Sequence, residues 1–285
     1  MSPDEYCQDK AAKSGSSFYY SFRFLPEKQR QAIIALYAFC REVDDTVDEI
    51  ADKEIAASKL EWWREEIIRT FKGEATHPVG LALQTAIDNF DLNEEYFMEI
   101  IDGMAMDLEQ VTYPSFKHLA LYCHRAASVV GLLSVEIFGY QDRATLKYAE
   151  NLGMALQLTN IIRDVREDAD RGRIYLPQDE LVKFGVIPED LFQLKSSPEL
   201  VELLEFQTQR AKSYYQKAMQ SLPEKDRYTQ RTGLIMASIY EATLDEIEKD
   251  GFGVMQRRIS LTPLRKLWLA WRTARREKRL HRKLQ

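Results

Sequence analysis

Cysteine, glycine and proline are all scarce in this chain, and each scarcity excludes something. Cys7, Cys40 and Cys123 form an odd, scattered set with no CxxC, which argues against a disulfide framework and against a zinc site. A reducing, cytoplasmic setting is the expectation. With twelve glycines and nine prolines in 285 residues, long stretches carry neither, which points away from short strands and turns and toward long helices. Histidine is scarce too. His77, His118, His124 and His281 do not cluster, and the one ExxH match, Glu74 with His77, falls in a loop before Pro78. A di-iron bundle, which needs paired ExxH motifs on helices, is therefore disfavoured. There is no GxSxG and no P-loop. Gly251 and Gly253 lack a third glycine and a preceding strand, so no NAD(P)H site is expected.

Long apolar runs are also missing. The nearest, Ala126 to Val135, is bounded by Arg125 and Glu136 and is too short to cross a bilayer, so it reads as a buried helix. The opening MSPDEYCQDKAAKSG has no apolar segment of the kind a signal peptide needs, so none is expected.

What is present is helical. Hydrophobic residues make up 45% of the chain and aromatics 11%, enough for a sizeable core. Helices are expected near 4–13, from Pro26 to about Ile50, and over 54–72, with a stop at Gly73. GEATHPVG is a loop, followed by helices near 78–89 and 93–110. Pro114 should open a helix that carries Tyr122 and AASVVGLLSVEIFG, apolar on nearly all sides and hence central. Ala126, Ala127 and Gly131 keep one of its surfaces shallow, for close helix packing or for a ligand. A helix over 142–168 follows, then RGRIYLPQDEL as a loop, then helices broken at Pro188, Pro198, Pro223 and Gly251. No composition shift marks a linker, so residues 1–260 read as one α domain.

Residues 261–285 read as a basic amphipathic helix, capped by Thr262 with Pro263 after it. The net charge is −6, yet residues 257–285 carry eleven Lys/Arg and one Glu, +10, which leaves −16 for the rest. Leu264, Leu267, Trp268 and Trp271 form an apolar edge among those cations. That pattern suits the surface of an anionic membrane, where each basic residue adds about 1 kcal/mol. Docking on the acidic body is the other reading. No nucleic-acid motif accompanies the charge, and no nucleic acid is expected. The localisation expected is cytoplasmic, with peripheral attachment to the inner face of the cytoplasmic membrane.

Two polar stripes stand out against this background. Tyr37, Arg41, Asp44 and Asp48 lie in YAFCREVDDTVDE; Gln157, Asn160, Asp164 and Asp168 lie in QLTNIIRDVREDADRGRIYLP. Either set spans eleven residues and returns to within roughly 20° of its starting angle on an α-helix. Each is one stripe on one helix face, within a mostly apolar stretch where a carboxylate is costly unless paired or metal-bound. A lone acidic face is usually just solvated. Two such stripes in an all-helical chain suit Mg²⁺, which takes one or two carboxylates, waters and substrate phosphates.

Loss of diphosphate from an allylic carbon needs that charge arrangement and no nucleophile. Asp44, Asp48, Asp164 and Asp168 offer carboxylates and Asn160 a neutral oxygen. Arg41, Arg171 and Arg173 offer cations for phosphate oxygens. The carbocation left behind needs dry walls and aromatic faces, for which Phe18, Tyr37, Tyr122 and Tyr175 are candidates.

SGSSFYYSF, ALYAFCREVDDTVDE, IDGMAMDLEQ and NIIRDVREDADRGRIYLP resemble the squalene/phytoene synthase family over nearly the whole chain to about residue 260. Within it, PDEYCQDKAAKSGSSFYYSF, REVDD and MDLEQ are most similar to the branch of bacterial presqualene diphosphate synthases. The resemblance implies an all-α, class I isoprenoid synthase bundle with a central cavity. It implies Mg²⁺-dependent, head-to-head condensation of two farnesyl diphosphates. One would ionise, the C2–C3 double bond of the other would attack, and proton loss would close a cyclopropane. By the same resemblance Asp44, Asp48, Asn160, Asp164 and Asp168 would hold metals. Ser17, Phe18, Tyr37, Arg41, Gln157 and Arg173 would bind substrate, and Tyr37, Arg41, Asp107, Tyr122 and Tyr175 would act at the reacting centre. Some relatives carry a serine where this chain has Gly15. The alternatives are a phytoene or dehydrosqualene synthase of the same fold, and a non-catalytic helical scaffold at a membrane surface.

Overall fold

Apolar spacing and its punctuation set the helices. The computed structural model describes residues 1–13, 18–109 and 112–284, with backbone alone for Phe18, Tyr20 and Leu284. Along it run α1 (Pro3–Lys13), α2 (Phe18–Phe22), α3 (Glu27–Glu49), α4 (Lys53–Phe71), α5 (Pro78–Asn89) and α6 (Glu94–Glu109). α7 (Phe116–Cys123) passes through a π-helical turn (His124–Ser128) into α8 (Val129–Phe138). α9 (Ala144–Arg163) and α10 (Val165–Asp170) precede the short α11 (Gln178–Phe184) and α12 (Pro188–Phe192). α13 (Pro198–Ser221), α14 (Arg231–Lys249) and α15 (Pro263–Leu284) follow. The described residues contain no strand, only an isolated bridge between Thr112 and Ile174. The class is all-α.

Helix starts follow ordinary capping. The Asp52 side chain accepts from the Glu54 and Ile55 amides at the head of α4, and Ser197 accepts from Leu200 at the head of α13. His77 caps α5 through its ring nitrogen, with Pro78 next. The buried Asp226 carboxylate accepts from the Gln141 and Asp142 amides and the Thr145 hydroxyl, tying the turn before α9 to the start of α14.

Two apolar clusters result. One gathers α1, α3, α4, α5, α6 and α8 around Phe39, Trp63, Ile67 and Phe97. The other gathers α9, α13 and α14 with the segments around them, on Tyr148, Leu158, Leu203, Tyr215 and Ile247. α8 packs against α9, and the seam between the clusters is where the cavity lies.

The structure corrects several expectations. The 142–168 helix is two helices, with Asp164 between them at φ −102°, ψ 15°. The ladder still bridges the bend: the Asp164 amide donates to the Asn160 carbonyl, and Asp168 to that of Asp164. Pro26 precedes α3 as its N-cap rather than opening it, and α7 begins after Ser115 rather than at Pro114. QDEL, read as loop, is the first turn of α11. The run Phe116–Phe138, taken through its π turn, is a 23-residue helix long and apolar enough to cross a membrane by length and composition. Half of its most apolar stretch is buried in the bundle, and its other side walls the cavity.

Candidate active site

The first stripe lies on α3, one unbroken helix. The second is split by the bend at Asp164, yet Gln157, Asn160, Asp164 and Asp168 still reach the same space. That space is a cavity of about 770 Å³. Tyr37, Arg41, Asp44 and Asp48 line it from α3, Asp107 from α6 and Tyr122 from α7. Arg171, Arg173 and Tyr175 line it from the loop after α10. Ser17, with Ser14, Gly15 and Ser16, lies outside the described residues, as does the side chain of Phe18.

Arginines grip most of the acidic end. Arg41 donates to Asp44 at 2.6 Å and also pairs with Asp45. Asp48 accepts from Arg173 at 2.7 Å and lies 3.3 Å from Arg171. Asp164 accepts from Arg163 Nε at 2.8 Å and lies 3.2 Å from Arg258. Two carboxylates at this end nonetheless titrate high. Asp44 keeps 37% of its side-chain surface open, but it faces a walled cavity. Burial, with the Asp48 charge beside it, raises its pKa to about 6 against the pull of Arg41. Asp168 is raised to about 8, by burial first and then by Asp164 and Asp107.

Next to the carboxylates is a tyrosine-bound acid. Asp107 accepts from Tyr175 at 2.8 Å and from Tyr122 at 3.0 Å. Burial lifts it to about 7, although Arg173 and both hydroxyls oppose the shift. The Tyr122 and Tyr175 rings stack at 5.0 Å, and Tyr113 stacks on Tyr175 at 5.7 Å. Tyr37 meets Phe22 edge-on at 5.9 Å.

Ile33 and Leu36, Val130 and Val135, and Leu152, Leu156 and Met236 give apolar wall, with Ser134, Gln230, Thr232 and Thr243 also in the lining. Both readings of the shallow surface on α8 hold. Ala126, Ala127 and Gly131 line the cavity, and a Cβ on Gly131 would sit 2.8 Å from the Ala149 carbonyl oxygen. Gly153 on α9 is tighter still, with the Ser128 Cα 2.5 Å from such a Cβ. Missing side chains let α9 press against the π turn and so set the cavity's width.

The sequence pattern of the squalene/phytoene synthases matches residues 11–265, nearly the whole of the acidic body and both stripes. The chain belongs to the squalene/phytoene synthase family. With membership goes the family's coarse chemistry, a condensation of prenyl diphosphates by an isoprenoid-synthase-type enzyme. Relatives of different product match it about equally. It is 37% identical over 271 residues to a presqualene diphosphate synthase of Zymomonas mobilis, covering 94% of this chain and 91% of that protein. It is 34% identical over 279 residues to a phytoene synthase of Arthrospira platensis, covering 92% and 89%. A crystal structure of a dehydrosqualene synthase superposes with a TM-score of 0.86 at 27% identity, covering 97% of each chain. The fold is that of the class I isoprenoid synthases.

The squalene/phytoene synthase fold implies Mg²⁺, and the donors here suit a hard cation. Asn160 Oδ1 is buried with no hydrogen-bond partner, and so is Glu167 Oε2, which lines the same cavity. Among the described residues, however, no three His, Cys, Asp or Glu side chains gather closely enough to hold a metal. The arginines explain this, since they sit on carboxylates that a cation would need.

Some lining residues were not read from the sequence. Arg163, Arg258, Lys266, Glu167 and Tyr240 all reach the cavity. Arg163 could have been found beside Asp164. Arg258 had no local signal, because its partner lies far back in the chain.

Proposed function

We propose that this protein condenses two farnesyl diphosphates head to head to presqualene diphosphate and diphosphate, in squalene and hopanoid biosynthesis. The observation that carries this reading is the meeting of both acidic stripes at one cavity that also has a run of apolar wall. Asp44, Asp48, Asn160, Asp164 and Asp168 would hold Mg²⁺, which when bound supplies positive charge to a departing diphosphate. Arg41 and Arg173 contact diphosphate oxygens with Ser17 and Gln157. Arg173 and Arg171 are free to exchange Asp48 for phosphate, a geometry their guanidinium groups match equally well.

The apolar walls keep water from the allylic cation. Ring faces of Tyr37, Tyr122 and Tyr175, with Phe18, stabilise it. The double bond of the second chain attacks, and loss of a proton closes the cyclopropane. Asp107, near pH 7 between two tyrosine hydroxyls, orients them at the reacting centre.

The product assignment is supported by the likeness to the Zymomonas presqualene diphosphate synthase. A phytoene or dehydrosqualene synthase is the second reading, supported by the Arthrospira relative and the superposed structure. Purified protein given farnesyl diphosphate and Mg²⁺ should yield a thirty-carbon cyclopropyl diphosphate by mass spectrometry. A forty-carbon hydrocarbon formed only from geranylgeranyl diphosphate would replace the first reading with the second.

A further inference from the structure

α15 has two faces of opposite character. One is part of the fold. Ala270, Thr273 and Glu277 are buried against the body, and the Glu277 carboxylate accepts from Arg227 at 2.9 and 3.0 Å. The Thr273 hydroxyl meets Ser238 at 3.2 Å, and His281 stacks flat on Tyr228 at 4.3 Å. The other face is left open. Leu264 is 79% exposed, Trp268 and Trp271 are each 51% exposed, and Leu267 lies between them. At 100° per residue these four form one stripe. Further along the same side the exposed residues are Arg275, Lys278, Arg279 and Arg282. Arg272 and Arg275 each lie 5.1 Å over an indole ring, Trp268 and Trp271 respectively, so cation and aromatic are presented together.

The helix also begins at the cavity. Ser260, Leu261 and Lys266 line it, next to Arg258, which pairs with Asp164. The first turn of α15 therefore lies beside the acidic end, where the stripes meet.

We infer that the open face of α15 is the surface by which this protein seats on an anionic lipid bilayer, with the acidic end of its cavity beside that surface. Exposed Trp and Leu backed by Arg and Lys match the interfacial zone, where indoles sit at headgroup depth and cations meet anionic lipid. The charge split fixes the orientation. Residues 257–285 carry +10 and the remainder −16, so the acidic body turns away from an anionic surface as the helix turns toward it. A second copy fits badly face to face, because that would bring two +10 segments together, and its acidic body would leave Trp268 and Trp271 without an apolar partner. A nucleic acid would answer the cations and leave Leu264, Trp268 and Trp271 without purpose. Under the proposed function, on which this one step rests, amphiphilic prenyl diphosphates would reach the cavity from the bilayer surface.

Removing α15 is no test, since Ala270, Thr273 and Glu277 belong to the fold. Full-length protein is instead floated with vesicles of phosphatidylcholine alone and of phosphatidylcholine with phosphatidylglycerol, in the absence of substrate. Binding is expected to the anionic vesicles only, falling about tenfold or more in high salt. Trp268→Ser with Trp271→Ser, and separately Arg275→Glu with Arg279→Glu, should each weaken it about tenfold at an unchanged thermal midpoint. Val182→Ser, at another exposed apolar site, should leave it intact. Equal binding by the variants, equal binding to neutral vesicles, or no binding would overturn the inference. So would a dimer that the tryptophan variant dissolves, or RNA bound as tightly as the vesicles. Vesicle binding needs no turnover, so failure here and failure of the proposed reaction are read separately.

Discussion

Asp48 and Asp164 are each gripped by two arginines, so an acid at either position does two jobs. It offers oxygen to a cation, and it holds guanidinium groups where phosphate would arrive. Asp48→Ala or Asp164→Ala should lower turnover by roughly 10²–10³, the scale of losing one preorganised electrostatic element. Steady-state rates with a circular-dichroism check of folding test this; near-normal rates in a folded variant would remove the metal assignment. Asp107 differs, because its partners are neutral hydroxyls. Its folded pKa, about 7, lies above the ordinary carboxylate value. The stability it contributes is therefore full at low pH and is lost as pH rises through 7. Asp107→Asn removes that dependence. The variant should match the parent in thermal midpoint near pH 3 and exceed it near pH 8, while losing activity. A variant less stable than the parent at pH 8 would contradict the burial argument. The stripes themselves were legible because helical spacing puts one stripe on one face. Arg258 and Lys266 were not, because spacing carries no information about partners brought together only by the tertiary fold.

At the scale of elements, most helices were legible for a plain reason: Pro, Gly and capping side chains mark their ends. Asp52, Ser197 and the His77–Pro78 pair cap three of them. The departures lack such marks. Neither the π turn at His124–Ser128 nor the bend at Asp164 contains Pro or Gly, so nothing local announces them. Both border the cavity, where backbone irregularity redirects side chains. The crossing of α9 with the π turn depends on Gly153, and a methyl group there would meet the backbone of Ser128 and Ala127. Neither neighbour can rotate away. Gly153→Ala should cost about 1–3 kcal/mol by overpacking. It should also push α9, with Asn160 and Asp164, away from α8. Denaturant midpoint and Mg²⁺ dependence of rate would check this together; a variant normal in both would show that the crossing has slack.

At the scale of the molecule, the cavity follows the seam between two apolar clusters, and each side brings one stripe. The sequence showed both stripes but not that they face each other; that follows only from how α3, α8 and α9 stack. The consequence is a site whose acids and bases are matched to one another, with Asp44 and Asp168 held above the usual carboxylate range by burial first and neighbouring carboxylates second. Diphosphate alone would meet arginines already committed to carboxylates. A divalent cation alone would find carboxylates already occupied by arginine. Together they would satisfy both, the carboxylates holding the cation and the freed arginines binding the phosphate. Their stabilisation should therefore exceed the sum of the two separate effects. At ligand concentrations near 100 times Kd the gain is about 2.7 kcal/mol. For a chain of this size that is a rise of about 4–5 °C in thermal midpoint. Scanning calorimetry with Mg²⁺, with inorganic diphosphate and with both would test it, chelation returning the midpoint to its starting value. Asp48→Asn and Asp164→Asn, one from each side of the seam, should each abolish the joint effect. If only one does, a single stripe holds the metal and the opposed pair is not the working unit.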